Sequence, residues 1–216
     1  MLMIGATITL TACTGDGFLS SPESQDSTGG PLDEYWNDQG ALVAHGVSGV
    51  REGGAATLGV RPFANSSGDD LVITKIEVEE AYGLEVTDIV AASPKRRQEG
   101  GEVDGIGASR GFPPAILRDE WKYVEPLDGA TIDGLGREVN EIRDLWDPMI
   151  GVRLTAKYGA AKNIIVHYRW RSTDYVARLP WLFFVDEADA GERFDALEMS
   201  QMANTPIKEW PVWGDL

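Results

Sequence analysis

Cysteine occurs once and histidine twice in 216 residues. A lone thiol forms no intramolecular disulfide, and so small a stock of cysteine and histidine excludes the ligand clusters of structural zinc sites. Positive charge is also scarce, with 19 Lys and Arg against 35 Asp and Glu and a formal net charge of −16. Nucleic-acid binding depends on clustered cations that release phosphate counterions, so no nucleic-acid partner is expected. No segment recurs, which argues against a repeat architecture. No combination of residues spells out a reaction either. What is present is a chain long enough for one large domain or two small ones, 43% hydrophobic, with enough core to fold without metal or disulfide.

Met1 to Gly17 read MLMIGATITLTACTGDG. Apart from Thr7, Thr9 and Thr11 the first twelve residues are apolar or small, and none is charged. The run is too short to cross a bilayer as a helix and reads as the hydrophobic half of a secretion signal. Leu10-Thr11-Ala12-Cys13 resembles the lipobox of bacterial lipoproteins, with a Leu three positions ahead of the Cys and small residues just before it. The resemblance covers residues 1–13 and none of the body. It implies that the Cys13 thiol takes a diacylglyceryl group, that residues 1–12 are removed, and that Cys13 becomes the new N-terminus. The family also carries a Lys/Arg-rich leader; none stands here, and a few basic residues ahead of Met1 are expected. The plain alternative is a buried Cys after an apolar strand. Against it stand the position of the Cys, its sole occurrence and the polar sequence that follows. One acyl chain anchors marginally at about 0.8 kcal/mol per buried methylene, whereas two or more hold stably. The implied place is extracytoplasmic, anchored to the cell membrane through lipid, with the body facing outward.

Residues 13–40 read as a disordered acidic tether, rich in Ser, Gly, Asp and Pro, with six acids and no base. Such composition does not offset the entropy of ordering. The 27 residues after Cys13 would span about 30 Å as a flexible coil. Tyr35 and Trp36 are positioned to dock on the body.

Residues 41–185 read as a mainly β domain. Ala41 to Val50 and Ala55 to Phe63 are short runs around a turn at Arg51-Glu52-Gly53-Gly54, and Asn65 to Asp70 is a second turn. Val72, Thr74, Ile76 and Val78 then alternate with Lys75, Glu77 and Glu79, the two-residue period of a half-buried strand. Leu84 to Val90 is a further candidate. Val152, Leu154, Ala156 and Tyr158 alternate with polar residues, as do Ile164, Val166, Tyr168 and Trp170, and Asp174 to Val185 returns across Ser172-Thr173 as a hairpin. Strands joined by polar turns without βαβ helices predict an antiparallel β-sandwich, immunoglobulin-like or related.

Between the strand groups, residues 93–150 form an excursion. Its first part is dense in Gly, Pro and charge; later Val139, Ile142 and Trp146 fall at helical spacing, which predicts a short helix stopped by Asp147-Pro148. Long loops inside a compact domain are often functional, so a binding site is sought here first. An ordinary loop with added edge strands is the alternative. The acidic tail, 186–216, carries Phe194, Leu197 and either Ala188 or Met202 for one face of a short helix, and Trp210, Val212 and Trp213 for docking on the sandwich.

Several residues invite chemistry. Gly107-Ala108-Ser109-Arg110-Gly111 matches the hydrolase pattern G-x-S-x-G, but that elbow needs a strand before it and a helix after it, and Phe112-Pro113-Pro114 follows instead. Gly105-Ile106-Gly107 fails as a dinucleotide fingerprint for the same reason. His45 and His167 each lie in an expected strand, His167 on its polar face; a Ser109/His167 pair is a spatial matter that spacing does not decide. Calcium takes oxygen ligands, yet the EF-hand pattern is absent, since Ala188 and Ala190 stand at the ligand positions counted from Asp186; Asp69 and Asp70 are the nearest substitute. Lys95-Arg96-Arg97 reads as a solvated loop tip. Of seven Trp, Trp170 and Trp181 fall on apolar strand faces and read as core, leaving Trp121 and Trp146 as the candidate ligand contacts.

The resulting expectation is a cell-envelope lipoprotein whose sandwich is a non-catalytic binding or interaction module. No catalytic residue, metal or cofactor is assigned. Its partners would be the membrane, through the Cys13 anchor, and an envelope protein or wall polymer. The alternative is a surface hydrolase or carbohydrate-binding protein that uses the 93–150 excursion.

Overall fold

The computed structural model describes residues 30–34, 43–99, 106–136, 144–187, 202 and 205–210. The strands are β1 (Leu32–Glu34), β2 (Val43–Val47), β3 (Ala55–Gly59), β4 (Phe63–Asn65), β5 (Leu71–Tyr82), β6 (Leu84–Ala92), β7 (Ser109–Arg110), β8 (Val124–Pro126), β9 (Thr131–Ile132), β10 (Asp147–Leu154), β11 (Tyr158–Trp170) and β12 (Thr173–Asp186); one helical turn, α1, covers Lys95–Gln98. The fold is mainly β, with two five-stranded sheets packed together. The first has the order β7-β3-β10-β6-β8 and the second β2-β12-β11-β5-β9, all antiparallel except the β2–β12 pair.

Alternation decides which side chains fill the space between the sheets. Ala56 and Leu58 of β3 and Ile150, Val152 and Leu154 of β10 meet Leu71, Ile73, Ile164, Val166, Leu179, Trp181, Phe183 and Val185 of the second sheet in one buried core. Burying each such large side chain contributes about 1.5–3 kcal/mol. The expected two-residue period holds in β11 through Ile164, Val166 and Tyr168, but the face expected for β5 is corrected: Leu71 and Ile73 are buried while Val72 and Thr74 are exposed, and only past the β5–β11 register shift beside His167 do Ile76 and Val78 turn to the core; the β11–β12 register also shifts around Asn163.

Two strand pairs pass from one sheet to the other at a shared corner. β6 pairs with β10 in the first sheet, and their continuations β5 and β11 pair in the second. The chain bends at Gly83 on one side and at residues 155–157 on the other, with the Thr155 N–H donating to the Gly83 carbonyl at 2.9 Å. Gly83 has φ +61°, and a Cβ there would collide with the Tyr158 carbonyl, so glycine meets both demands of the corner. The sequence run Val152 to Tyr158 is therefore not one strand but the end of β10, a bend and the start of β11.

The excursion is a covering layer. Ile106 and Leu117 pack with Ala92 and Met149 on the outer face of the first sheet, backed by Val90, Trp121 and Val124. Gly59 and Gly151 admit it: a Cβ on Gly59 would collide with the Ile106 carbonyl, and one on Gly151 would press into the Phe112 ring. The helix expected to end at Asp147-Pro148 is corrected in its last part. Trp146 forms a bridge with Phe63, and Asp147 begins β10; Val139 and Ile142 lie outside the described residues. Core burial of Trp146 beside Phe63 outweighs the helical spacing.

Both flanks reach the body. Within the stretch expected to be tether, β1 pairs with β4 and Leu32 packs on the core, so ordered structure begins ahead of residue 41. At the other end Met202, Ile207 and Trp210 are buried, and the Trp210 indole N–H donates to the Met202 and Thr205 carbonyls. The Lys162 ammonium, itself buried, also donates to the Thr205 carbonyl at 3.1 Å. Cys13, Tyr35, Trp36, Phe194, Leu197, Val212 and Trp213 lie outside the described residues.

Candidate functional site

Three places in the body gather polar chemistry. The first is at the end of the first sheet, where α1 meets β10. Arg96 and Arg97 are buried, against the expectation of a solvated tip; Lys95 alone of the three faces water. Arg97 donates to Asp147 at 2.6 Å and to the Leu145 carbonyl at 2.9 Å, and Arg96 pairs with Glu120 and lies 3.5 Å from the other Asp147 oxygen. Burial pushes the Asp147 carboxyl up from its ordinary range, opposed first by Arg97 and then by Arg96. Two guanidiniums and two carboxylates neutralise each other, a condition for burying charge at all. The cluster pins the excursion to β10. Sequence reading missed it because the partner, Asp147, is 50 residues from Arg97.

The second place is the outer face of the second sheet. Glu77 accepts from Lys75 and lies 3.0 Å from the His167 Nε2. Arg178 donates to Glu79 at 2.7 Å, Asn163 to the same carboxylate at 2.5 Å, and Arg169 to Asp174 at 2.8 Å. The Lys75 and His167 hydrogen bonds hold the Glu77 carboxyl below its ordinary range. For Glu79, burial pushes up, but Arg178 and Asn163 carry the balance below the ordinary range. His167 does stand on the polar face, as its strand pattern indicated.

The third is the inner face at the β2 edge. The His45 ring stacks on Trp181 at 5.1 Å and lies 6.2 Å from Phe183, while the Arg61 guanidinium sits 5.9 Å from the Trp181 ring centre. Burial, aided by Arg61, lowers the His45 pKa to about 4. The imidazole is therefore neutral at pH 7.

These placements bear on each residue singled out from sequence. Ser109 belongs to β7 of the first sheet, with a buried hydroxyl that has no hydrogen-bond partner among the described residues. His167 lies on the outer face of the opposite sheet and faces Glu77. The body's core separates them, so the structure does not bring them together as nucleophile and base. Asp69 is engaged by Arg171 at 2.8 Å, and Asp70 accepts the Gly134 N–H at 3.0 Å. Among the described residues no three His, Cys, Asp or Glu side chains converge as metal ligands. Trp146 is only 8% exposed and belongs to the core, where its ring is not presented to an outside ligand. Trp121 is half-buried, edge-on to Phe112 at 5.8 Å, and packs on the layer beneath the excursion. Trp170 is half-buried against the core, with the Arg171 guanidinium 4.4 Å from its ring centre.

No protein-family model matches the chain, and no curated protein matches it. Among solved structures it is similar to a family 123 glycoside hydrolase from Clostridium perfringens, at 9% identity and a TM-score of 0.34, over 66% of this chain and 22% of that one. The chain thus spans under a quarter of that protein, and a likeness at this level carries no argument about activity.

Proposed function

We propose that the chain is a membrane-anchored cell-envelope lipoprotein, lipidated at Cys13, whose β domain is a non-catalytic binding or interaction module. The observation that carries the anchor is Leu10-Thr11-Ala12-Cys13: the only Cys of the chain stands directly after an uncharged apolar run and before an acidic, polar stretch. The candidate chemical groups are used structurally. Asp69, Asp70, His167 and the buried arginines are committed to ion pairs and hydrogen bonds that hold strands and turns together. An envelope protein or a wall polymer is the partner class for such a module.

The proposal includes an immunoglobulin-like topology. β3, β10 and β6 lie side by side in the order B-E-D, and β5, β11 and β12 in the order C-F-G. An experimental structure with β10 outside the β3–β6 interval would break that assignment.

Metabolic labelling with a radioactive fatty acid tests the anchor. The parent chain incorporates label and sediments with membranes, and Cys13→Ala incorporates none and is released to the soluble fraction. Label retained by Cys13→Ala, or an unlabelled parent, overturns the reading.

A further inference from the structure

Ile116 is the most exposed large apolar side chain among the described residues, at 53%, while Leu117 beside it is fully buried. The two are divided by a single 3-10 turn, Ala115–Leu117, entered through Pro113 and Pro114. Leu117 packs inward with Met149 and Trp121, and the turn carries Ile116 outward together with exposed Pro113 and Ala115. A lone exposed apolar residue needs no explanation, but here the surroundings add charge of one sign. Within residues 95–99 and 106–123 the exposed charges are Lys95, Arg110, Arg118 and Lys122 against Glu99 and Asp119. Arg96, Arg97, Glu120 and Asp147 cancel one another within the layer. The tip is therefore cationic in a chain whose net charge is −16.

We infer that this tip is a membrane-contact site, at which Pro113, Ala115 and Ile116 enter the headgroup region of an anionic bilayer while Arg118 and Lys122 pair with lipid phosphates. The inference rests on the anchor proposed at Cys13, and the occupant follows from where that anchor holds the body. Sixteen residues lie between Cys13 and Gly30, so Gly30 stands within about 60 Å of the lipid even at full extension. Gly30 enters the body against Tyr168 and Tyr175, and β1 then pairs with β4. β4 bridges to Trp146, beside Asp147, and Asp147 and Glu120 hold Arg96 between them. A continuous run of contacts thus joins the point where the tether enters to the layer that bears Ile116, and both lie towards the strand ends opposite the corner at Gly83. A site tethered in this way needs little affinity of its own, because the anchor supplies the local concentration. The chemistry also selects lipid. A projecting apolar tip with Trp121 at its base and cations around it is the pattern of an interfacial contact. A peptide partner is received by a groove or a free strand edge, and a single projecting turn presents neither.

The full chain carrying Cys13→Ser and a single new thiol, Ala115→Cys, labelled with nitrobenzoxadiazole, tests this without the acyl chains. With vesicles of phosphatidylethanolamine and phosphatidylglycerol at millimolar lipid, the emission shifts to the blue. Adding Ile116→Asp weakens the partitioning about tenfold or more, and vesicles of phosphatidylcholine alone bind less. The same label at Val176→Cys, exposed on the outer face of the second sheet, does not respond. A label at residue 115 that vesicles leave unmoved, an Ile116→Asp chain that binds as the parent does, no preference for anionic lipid, or an equal response at residue 176 would each overturn the inference. So would a response to a lipid-free envelope extract in place of vesicles, which gives the tip to a protein. No acyl chain is present in this experiment, so failure of the contact is told apart from failure of the anchor, which fatty-acid labelling at Cys13 tests.

Discussion

The α1–β10 junction and the outer face of the second sheet are built from the same side chains, Arg paired with Asp or Glu, in opposite surroundings. At the junction Arg96, Arg97 and Asp147 are almost without solvent contact. On the open face the Arg169, Asp174 and Arg178 side chains are about half or more exposed. A buried charge that loses its partner keeps its desolvation cost, whereas an exposed one recovers water. The same sequence feature thus holds a layer in place in one region and contributes little in the other.

Removing one carboxylate from the buried side should produce the largest effect. Asp147→Ala removes the carboxylate that both buried guanidiniums face, and a loss of about 3–5 kcal/mol is expected. Urea unfolding measures it; a loss no greater than that of an exposed pair would end the contrast between the regions.

His45 extends the comparison to a largely buried group whose charged neighbour is the like charge of Arg61. Its pKa is about 4 in the folded chain against an ordinary 6.5, so between these pH values the unfolded chain binds a proton that the folded chain does not. Stability is then full above pH 6.5, falls as pH drops towards 4, and levels off below, with at most about 3 kcal/mol at stake. Carboxylates also titrate in this window, so the informative quantity is the difference between the parent and His45→Phe. That difference should be constant above pH 6.5 and shift in favour of His45→Phe on acidification towards pH 4; parallel profiles would show that His45 does not sense burial.

Smallest of all is the exposed side. Arg178→Ala breaks the pair with Glu79 and should cost no more than about 1 kcal/mol, diminishing with added salt. A larger, salt-insensitive loss would make the outer face as structural as the junction.

The strand pattern was legible where one sheet face meets core and the other meets water. The central part of β11 shows it, because Ile164, Val166 and Tyr168 face the core while His167 and Arg169 face out; in β5 the bulge at Thr74 puts Val72 and Thr74 on the opposite face from Ile76 and Val78, which no alternation reveals. Legibility failed where a second layer buries the other face. In β10 the run Asp147 to Val152 is buried on both sides, so it has no period to read, and the helical spacing just before it misleads. Trp146 shows the same limit: the excursion that makes it a candidate ligand contact says nothing of its place beside Phe63, which depends on a strand more than eighty residues earlier.

The amino-acid sequence by itself determined the acidic flanks, the candidate lipidation at Cys13 and the β character of the body, because each is carried by neighbouring residues through composition, motif or a two-residue period. Only the tertiary structure decided that Arg96 and Arg97 are internal, that the excursion is a layer over the first sheet and that the strands turn a corner at Gly83. Those outcomes depend on which distant groups neutralise or cover one another, and burial makes an ion pair or a glycine matter in a way that its sequence neighbours do not reveal.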